Sequence, residues 1–159
     1  MFEWKVDALS KDTDLGQTEV SLLCFDARLA VPQSVFFAVR GNQSDGHQYI
    51  SQAIAHGAIA LVVEDASRVP SDYKGFVLTV PDSRQMLDLL AARFYDYPSQ
   101  KLFCFGVTGT NGKTSITYLL EHILNDHKKM TGVMGTVNHR VGDQIWGSEM
   151  TTPDPVTVA

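Results

Sequence analysis

Basic charge is scarce in this chain: 13 Lys and Arg stand against 18 Asp and Glu over 159 residues, a formal net charge of −5. A general nucleic-acid binder needs a basic face that displaces counterions from phosphates, so that class is excluded and any phosphate recognition must be local. Long apolar runs are missing as well. The purest, "AIALVV" at Ala58–Val63, is far too short to span a bilayer, and the opening "MFEWKVDALSKDTDLG" mixes acids and bases where a secretory leader would be apolar. The expectation is a cytoplasmic protein without a membrane partner. Cysteine is reduced to two, Cys24 and Cys104, each alone in an apolar run without C-x-x-C spacing. That argues against a disulfide or a thiolate metal site and predicts two buried free thiols. The five histidines, His47, His56, His122, His127 and His139, build no ligand set on a helix face, because His122 and His127 lie five apart and a helical pair wants three or four. They read as surface or capping residues. Repeats and low-complexity tracts are absent.

What remains is an ordinary globular composition, 44% hydrophobic and 19% charged, enough to bury a real core. Short apolar runs alternate with segments of helical period. "VFFAV" (Val35–Val39), "AIALVV", "FVLTV" (Phe76–Val80) and "LFCFGV" (Leu102–Val107) read as strands buried on both faces. Ile50, Ala53, Ile54 and Gly57 recur at helical spacing, as do Leu87, Leu90, Ala91 and Phe94. Asp82 is placed to cap the second helix, with Gln85 completing a capping box. This alternation predicts an α/β fold with a mainly parallel sheet.

The short polar segment "DYPSQK" (Asp96–Lys101) separates two blocks, and the boundary falls near residue 98, dividing 1–98 from 99–159. The second block opens with the strand 102–107 and continues into a helix with the apolar stripe Ile116, Leu119, Leu120, Ile123 and Leu124. A strand at Thr131–Gly135 and a hairpin with Gly142-Asp143 at its turn follow. Two or three strands and one helix are few for a complete α/β domain, so the second block is expected to be the start of a larger unit.

Between that strand and that helix lies "GVTGTNGKTS", Gly106–Ser115. A phosphate-gripping loop needs inward backbone N–H groups, and Gly109 and Gly112 permit the dihedrals and the close approach. Lys113 supplies a mobile positive charge for terminal phosphates, the Thr114 hydroxyl can ligate Mg²⁺, and the helix N-terminus adds its dipole. The strict phosphate-loop pattern would put glycine five positions before the Gly-Lys pair, where Val107 stands.

The segment "GTNGKT" (Gly109–Thr114) resembles the shifted phosphate loop of the Mur ligase superfamily, in which Val107 is expected. Phe25–Asp65 resembles the N-terminal UDP-binding domain of that superfamily's tripeptide-synthetase branch, and "MGTVNHR" with "TTPDP" (Thr151–Pro155) forms a third match in the same order. The resemblance implies an N-terminal α/β UDP-binding domain followed by the start of a Rossmann-like, P-loop ATPase domain. It implies an ATP- and Mg²⁺-dependent ligase of peptidoglycan synthesis, joining an amino acid to UDP-N-acetylmuramoyl-L-Ala-D-Glu through an acyl phosphate.

Carried over position by position, ATP contacts fall on Gly109, Thr110, Asn111, Gly112, Lys113, Thr114 and Ser115, with Lys113 catalytic and Thr114 on the metal. UDP-muropeptide contacts fall on Phe25, Ala27, Asn42, Gln43, Ser44, Thr151 and Thr152. Ala27 replaces the usual serine of that motif, and Met150 stands where an asparagine is common. Because the resemblance places further metal and adenine contacts and the amino-acid domain later in such enzymes, these 159 residues alone are expected to be inactive. The alternative is a non-catalytic UDP-muropeptide-binding module.

Overall fold

The computed structural model describes residues 19–41, 44–148 and 154–158. The chain divides into two compact units, one ending at Tyr97 and the other running Pro98–Val158.

In the first unit, β1 (Leu22–Cys24), β2 (Ser34–Phe37), β3 (Ala60–Val63) and β4 (Phe76–Thr79) form a parallel sheet in the order β1-β2-β3-β4. Register is fixed by pairs such as Cys24↔Phe36, Phe36↔Leu61 and Leu61↔Val77. All residues of β2 and β3 are buried, and apart from Ser34 they are apolar throughout, as central strands covered on both faces require. Helix α1 (Ile50–Ala55) seats Ile50 and Ala53 in one core with Cys24, Phe36, Leu61 and Val63. The longer α2 (Ser83–Phe94) contacts β2 and buries Leu87 and Ala91, while Leu90 and Phe94 of the expected stripe are half-buried. Each fully buried Phe or Leu here contributes roughly 2–3 kcal/mol of transfer free energy. The expected cap of α2 is in place, with Gln85 N–H donating to Asp82 Oδ1 at 2.9 Å.

Both helices stop by wrapping their last amides back onto the final turn. At α1, Gly57 adopts φ 96° and the N–H groups of Gly57 and Ala58 donate to Ile54 O and Ala53 O. Gly57 therefore ends the helix, and is not part of its buried stripe. At α2, Asp96 occupies the equivalent left-handed position with φ 60°, and Asp96 N–H and Tyr97 N–H donate to Arg93 O and Ala92 O.

In the second unit, α3 (Lys113–Asp126) is followed by an antiparallel sheet of β5 (Gly132–Met134), β6 (Asn138–Val141) and β7 (Gln144–Gly147). The hairpin turns at Gly142-Asp143, since Val141 pairs with Gln144 and φ is positive at Gly142. A short α4 (Pro155–Val158) closes the described chain, its first amides capped by Asp154 Oδ1 at 3.0 Å from Val156 N and Thr157 N.

Three expectations need correction. Leu102–Val107 forms no strand, because no described segment pairs with it, and Leu102, Phe103 and Phe105 are exposed. The α3 stripe is not buried as a whole: Leu120 and Leu124 are half-buried, whereas Ile116, Leu119 and Ile123 face outward with no cover among the described residues. Cys24 is buried but Cys104 is exposed, because it sits on the unpaired segment. The strand β1 and helix α4 were not expected from the sequence at all. Among the described residues no helix is long and apolar enough to cross a membrane.

Candidate functional site

The glycine loop is built by its dihedrals. Gly109 has φ 147° and Gly112 has φ 80°, ψ −6°, a left-handed conformation that lets the loop turn straight into α3. A Cβ on Gly112 would meet nothing within 4 Å, so it is the left-handed conformation and not crowding that calls for glycine. As helix N-cap, Gly112 offers no side-chain acceptor to the first-turn amides. Its carbonyl takes the Ile116 N–H at 2.9 Å, leaving the amides of 113–115 at the positive end of a 14-residue helix. Lys113 folds over the loop, donating from Nζ to Gly109 O at 2.6 Å and to Thr110 O at 3.3 Å. Thr110, Asn111 and Ser115 are exposed and Thr114 is half-buried. The structure thus brings all seven predicted nucleotide residues, 109–115, into one loop and helix start.

That arrangement fits an anion: an uncapped helix end, open space at Gly112 where a side chain would intrude, and a lysine held at the rim. Its fit to a metal is narrower. No group of three or more His, Cys, Asp or Glu among the described residues could hold an ion, so Thr114 would supply a single hydroxyl to Mg²⁺ carried by the nucleotide phosphates.

Behind the loop, α3 is pinned to the hairpin. Arg140 Nε donates to Glu121 Oε1 at 2.6 Å and Nη2 donates to Glu121 Oε2, while the guanidinium lies 3.8 Å from the Tyr118 ring centroid. Glu121 raises the Arg140 pKa above its ordinary value by these hydrogen bonds, the largest cause. The exposed face of α3 and the loop are therefore carried on a helix whose other side is fixed.

Of the predicted substrate residues, the three that are described, Phe25, Ala27 and Ser44, follow the carboxyl ends of β1 and β2, the edge at which ligands of parallel sheets bind. Phe25 follows β1 and is partly exposed. Ala27 is buried at 4%, packed in the core, and its carbonyl accepts from His56 Nδ1 at 2.9 Å. Ser44 is exposed after β2 and its carbonyl accepts the Gly41 N–H at 2.9 Å. Asn42, Gln43, Thr151 and Thr152 lie outside the described residues.

Sequence reasoning missed a polar network at this edge. Glu64 Oε1 accepts from Ser83 N–H at 3.1 Å, and the Ser83 hydroxyl lies 2.9 Å from that oxygen and 3.2 Å from Ala38 O, its one proton serving either. Arg40 Nε faces Glu64 Oε2 at 3.3 Å. His47, read as a surface or capping residue, has a side chain that is 0% exposed. The remaining histidines differ: His127 Nδ1 lies 2.8 Å from Ile123 O at the end of α3, His122 is exposed beside Asp126, and His139 is half-buried with Nδ1 unpartnered.

A parallel α/β unit followed by a glycine loop that opens a helix is the arrangement of the P-loop class. The family is given by sequence comparison: the profile of the Mur ligase family, catalytic domain, matches residues 19–95, and that of the Mur ligase middle domain matches 107–159. The chain belongs to the Mur ligase family.

It is 39% identical over 137 residues to the UDP-N-acetylmuramoyl-L-alanyl-D-glutamate--2,6-diaminopimelate ligase of Caldanaerobacter subterraneus, covering 86% of this chain and 28% of that protein. Among solved structures, a UDP-N-acetylmuramoyl-L-alanyl-D-glutamate--2,6-diaminopimelate ligase shares the fold with a TM-score of 0.68 at 22% identity, over 94% of this chain and 30% of that one. The MurF ligase of Thermotoga maritima in complex with ADP matches with a TM-score of 0.51 at 29% identity, over 75% of this chain and 27% of that one. The chain thus spans under a third of the length of the relatives it matches.

Proposed function

We propose that residues 1–98 bind the UDP-muramoyl substrate and 99–159 the phosphates of ATP in a cytoplasmic ligase that adds an amino acid to UDP-N-acetylmuramoyl-L-Ala-D-Glu. The observation that carries this reading is the loop: Gly112 in the left-handed region, an uncapped helix start, and Lys113 at the rim. The matched relatives are named for 2,6-diaminopimelate, which makes that the amine of choice.

The chemistry explains the loop. A carboxylate repels an attacking amine and has no usable leaving group, and transfer of a phosphoryl group to it supplies one, with the amine then displacing phosphate. In that first step the protein mostly positions groups and offsets charge. Lys113 exchanges its contacts with Gly109 O and Thr110 O for phosphate oxygens, and the amides of 113–115 face the same anion. A bound Mg²⁺ would neutralise phosphate charge, and Thr114 is the side chain placed to hold it. Phe25, Ser44 and, outside the described residues, Asn42, Gln43, Thr151 and Thr152 serve the UDP-muropeptide. Ala27 contributes only through backbone or packing.

Separate calorimetric titrations with MgATP and with UDP-N-acetylmuramoyl-L-Ala-D-Glu test the reading. Saturable binding of both is expected. Binding of the muropeptide without MgATP would leave a binding module, and binding of neither would refute the proposal.

A further inference from the structure

We propose that His47 is the positioning residue of the Ser44–Gly46 stem, tying it to the end of β3 so that Ser44 meets the UDP ligand from a fixed base. This rests on the reading that the turn contacts UDP.

The argument starts from proton positions. His47 Nε2 lies 3.1 Å from Glu64 N and 3.3 Å from Asp65 N, and both of those are N–H donors. Nε2 must accept, so the ring proton sits on Nδ1, which donates to Asp45 Oδ1 at 2.6 Å. The same carboxylate oxygen accepts the His47 N–H at 3.0 Å. With the ring wholly buried, this one tautomer satisfies every contact and links two segments 17 residues apart.

Asp45 is in turn the hinge of the loop. It bridges to Arg40, Gly41 N–H donates to Ser44 O at 2.9 Å, and Gly46 N–H donates to Val39 O at 2.9 Å. Gly46 sits so close to the chain that a Cβ would come within 2.7 Å of Val39 N and O, so the stem cannot shift sideways. The Asp45–Gly46 stem is thereby fixed twice, by close backbone approach to Val39 and by the His47–Asp45 bond.

Two substitutions separate the arms of the ring. His47→Gln places an amide oxygen near the Nε2 position, keeping the acceptor for Glu64 and Asp65 but dropping the bond to Asp45. His47→Asn keeps a donor for Asp45 and drops the acceptor. Measured by titration with UDP-N-acetylmuramoyl-L-Ala-D-Glu and by thermal unfolding, H47Q is expected to weaken binding about tenfold with little change in melting, the fold-change one charge-assisted hydrogen bond supports. H47N, which cuts the tie to β3, is expected to weaken binding by a similar factor and also to melt earlier, since the amides of Glu64 and Asp65 lose their buried acceptor.

If affinity merely tracks melting temperature in both variants, the positioning role is overturned. A ligand-free arm keeps the inference distinct from the binding proposal: amide exchange at Gly41 and Gly46 should quicken about tenfold in H47Q while Leu61 in β3 stays unchanged. Failure of the unaltered protein to bind the muropeptide would sink the UDP reading, and unchanged exchange at Gly41 and Gly46 would sink the role of His47.

Discussion

Arg140 on β6 holds Glu121 on α3 with two hydrogen bonds, the pair only 13% and 16% exposed. Removing one partner leaves the other charge in a site with little water. Arg140→Met is expected to destabilise the docking of α3 by roughly 2 kcal/mol, discounted from a fully buried pair for the residual solvent. Amide exchange along α3 should quicken about thirtyfold, because each 1.4 kcal/mol is about tenfold. Substituting both residues by apolar groups should recover most of the loss.

Gly112 gives a second test. Alanine there costs about 1 kcal/mol of backbone strain at φ 80° and meets no neighbouring atom within 4 Å. The fold should survive with a melting temperature lower by a few degrees. Affinity for MgADP should fall at least about tenfold, since the methyl group enters the space assigned to phosphate.

Acid should loosen the first unit through its turn caps. Asp26, Asp45 and Asp65 each accept from the amide two residues on, in Arg28, His47 and Ser67. All three carboxyls are held below the ordinary value of 3.8: Asp26 chiefly by the Arg28 side chain, Asp45 by the His47 backbone, and Asp65 by the Ser67 hydroxyl. A depressed folded pKa means stability is fully present above 3.8 and is lost as pH falls through the lower folded values. Thermal melting followed by circular dichroism should show a plateau above about pH 4.5 and a decline below 3.8 for these groups, shallower in Asp→Asn variants.

The cysteines should react differently. Cys24 is 4% exposed and its thiol is pushed up to about 11, first by burial, whereas Cys104 is exposed. A thiol-specific reagent at pH 8 should titrate Cys104 quickly and Cys24 only after denaturant is added. Equal rates in the native protein would contradict the burial of β1.

Local signals carried much of this fold and not its longer reaches. Val35–Phe37 and Ala60–Val63 are apolar on every residue, which only a central strand tolerates, and Asp82 with Gln85 marks the start of α2 in four letters. The loop 109–115 is legible for the same reason, as neighbours in sequence are neighbours in space. By contrast, the role of His47 depends on amides 17 and 18 residues away, and that of Arg140 on Glu121, 19 residues away. No periodicity encodes such pairs, though the spacing of Asp45 and His47 was a hint. The stripe of α3 shows the converse: amphipathicity states that a face needs cover, and it does not supply the cover for Ile116, Leu119 and Ile123.

The central claim is that this glycine loop holds nucleotide phosphates, and calorimetric titration of MgATP into the protein and its Lys113→Ala variant tests it most directly. The account predicts saturable binding by the unaltered protein and at least about tenfold weaker binding by the variant, the loss expected when one charge-assisted contact to phosphate disappears. Equal affinity in the two proteins, or none in the first, would contradict it.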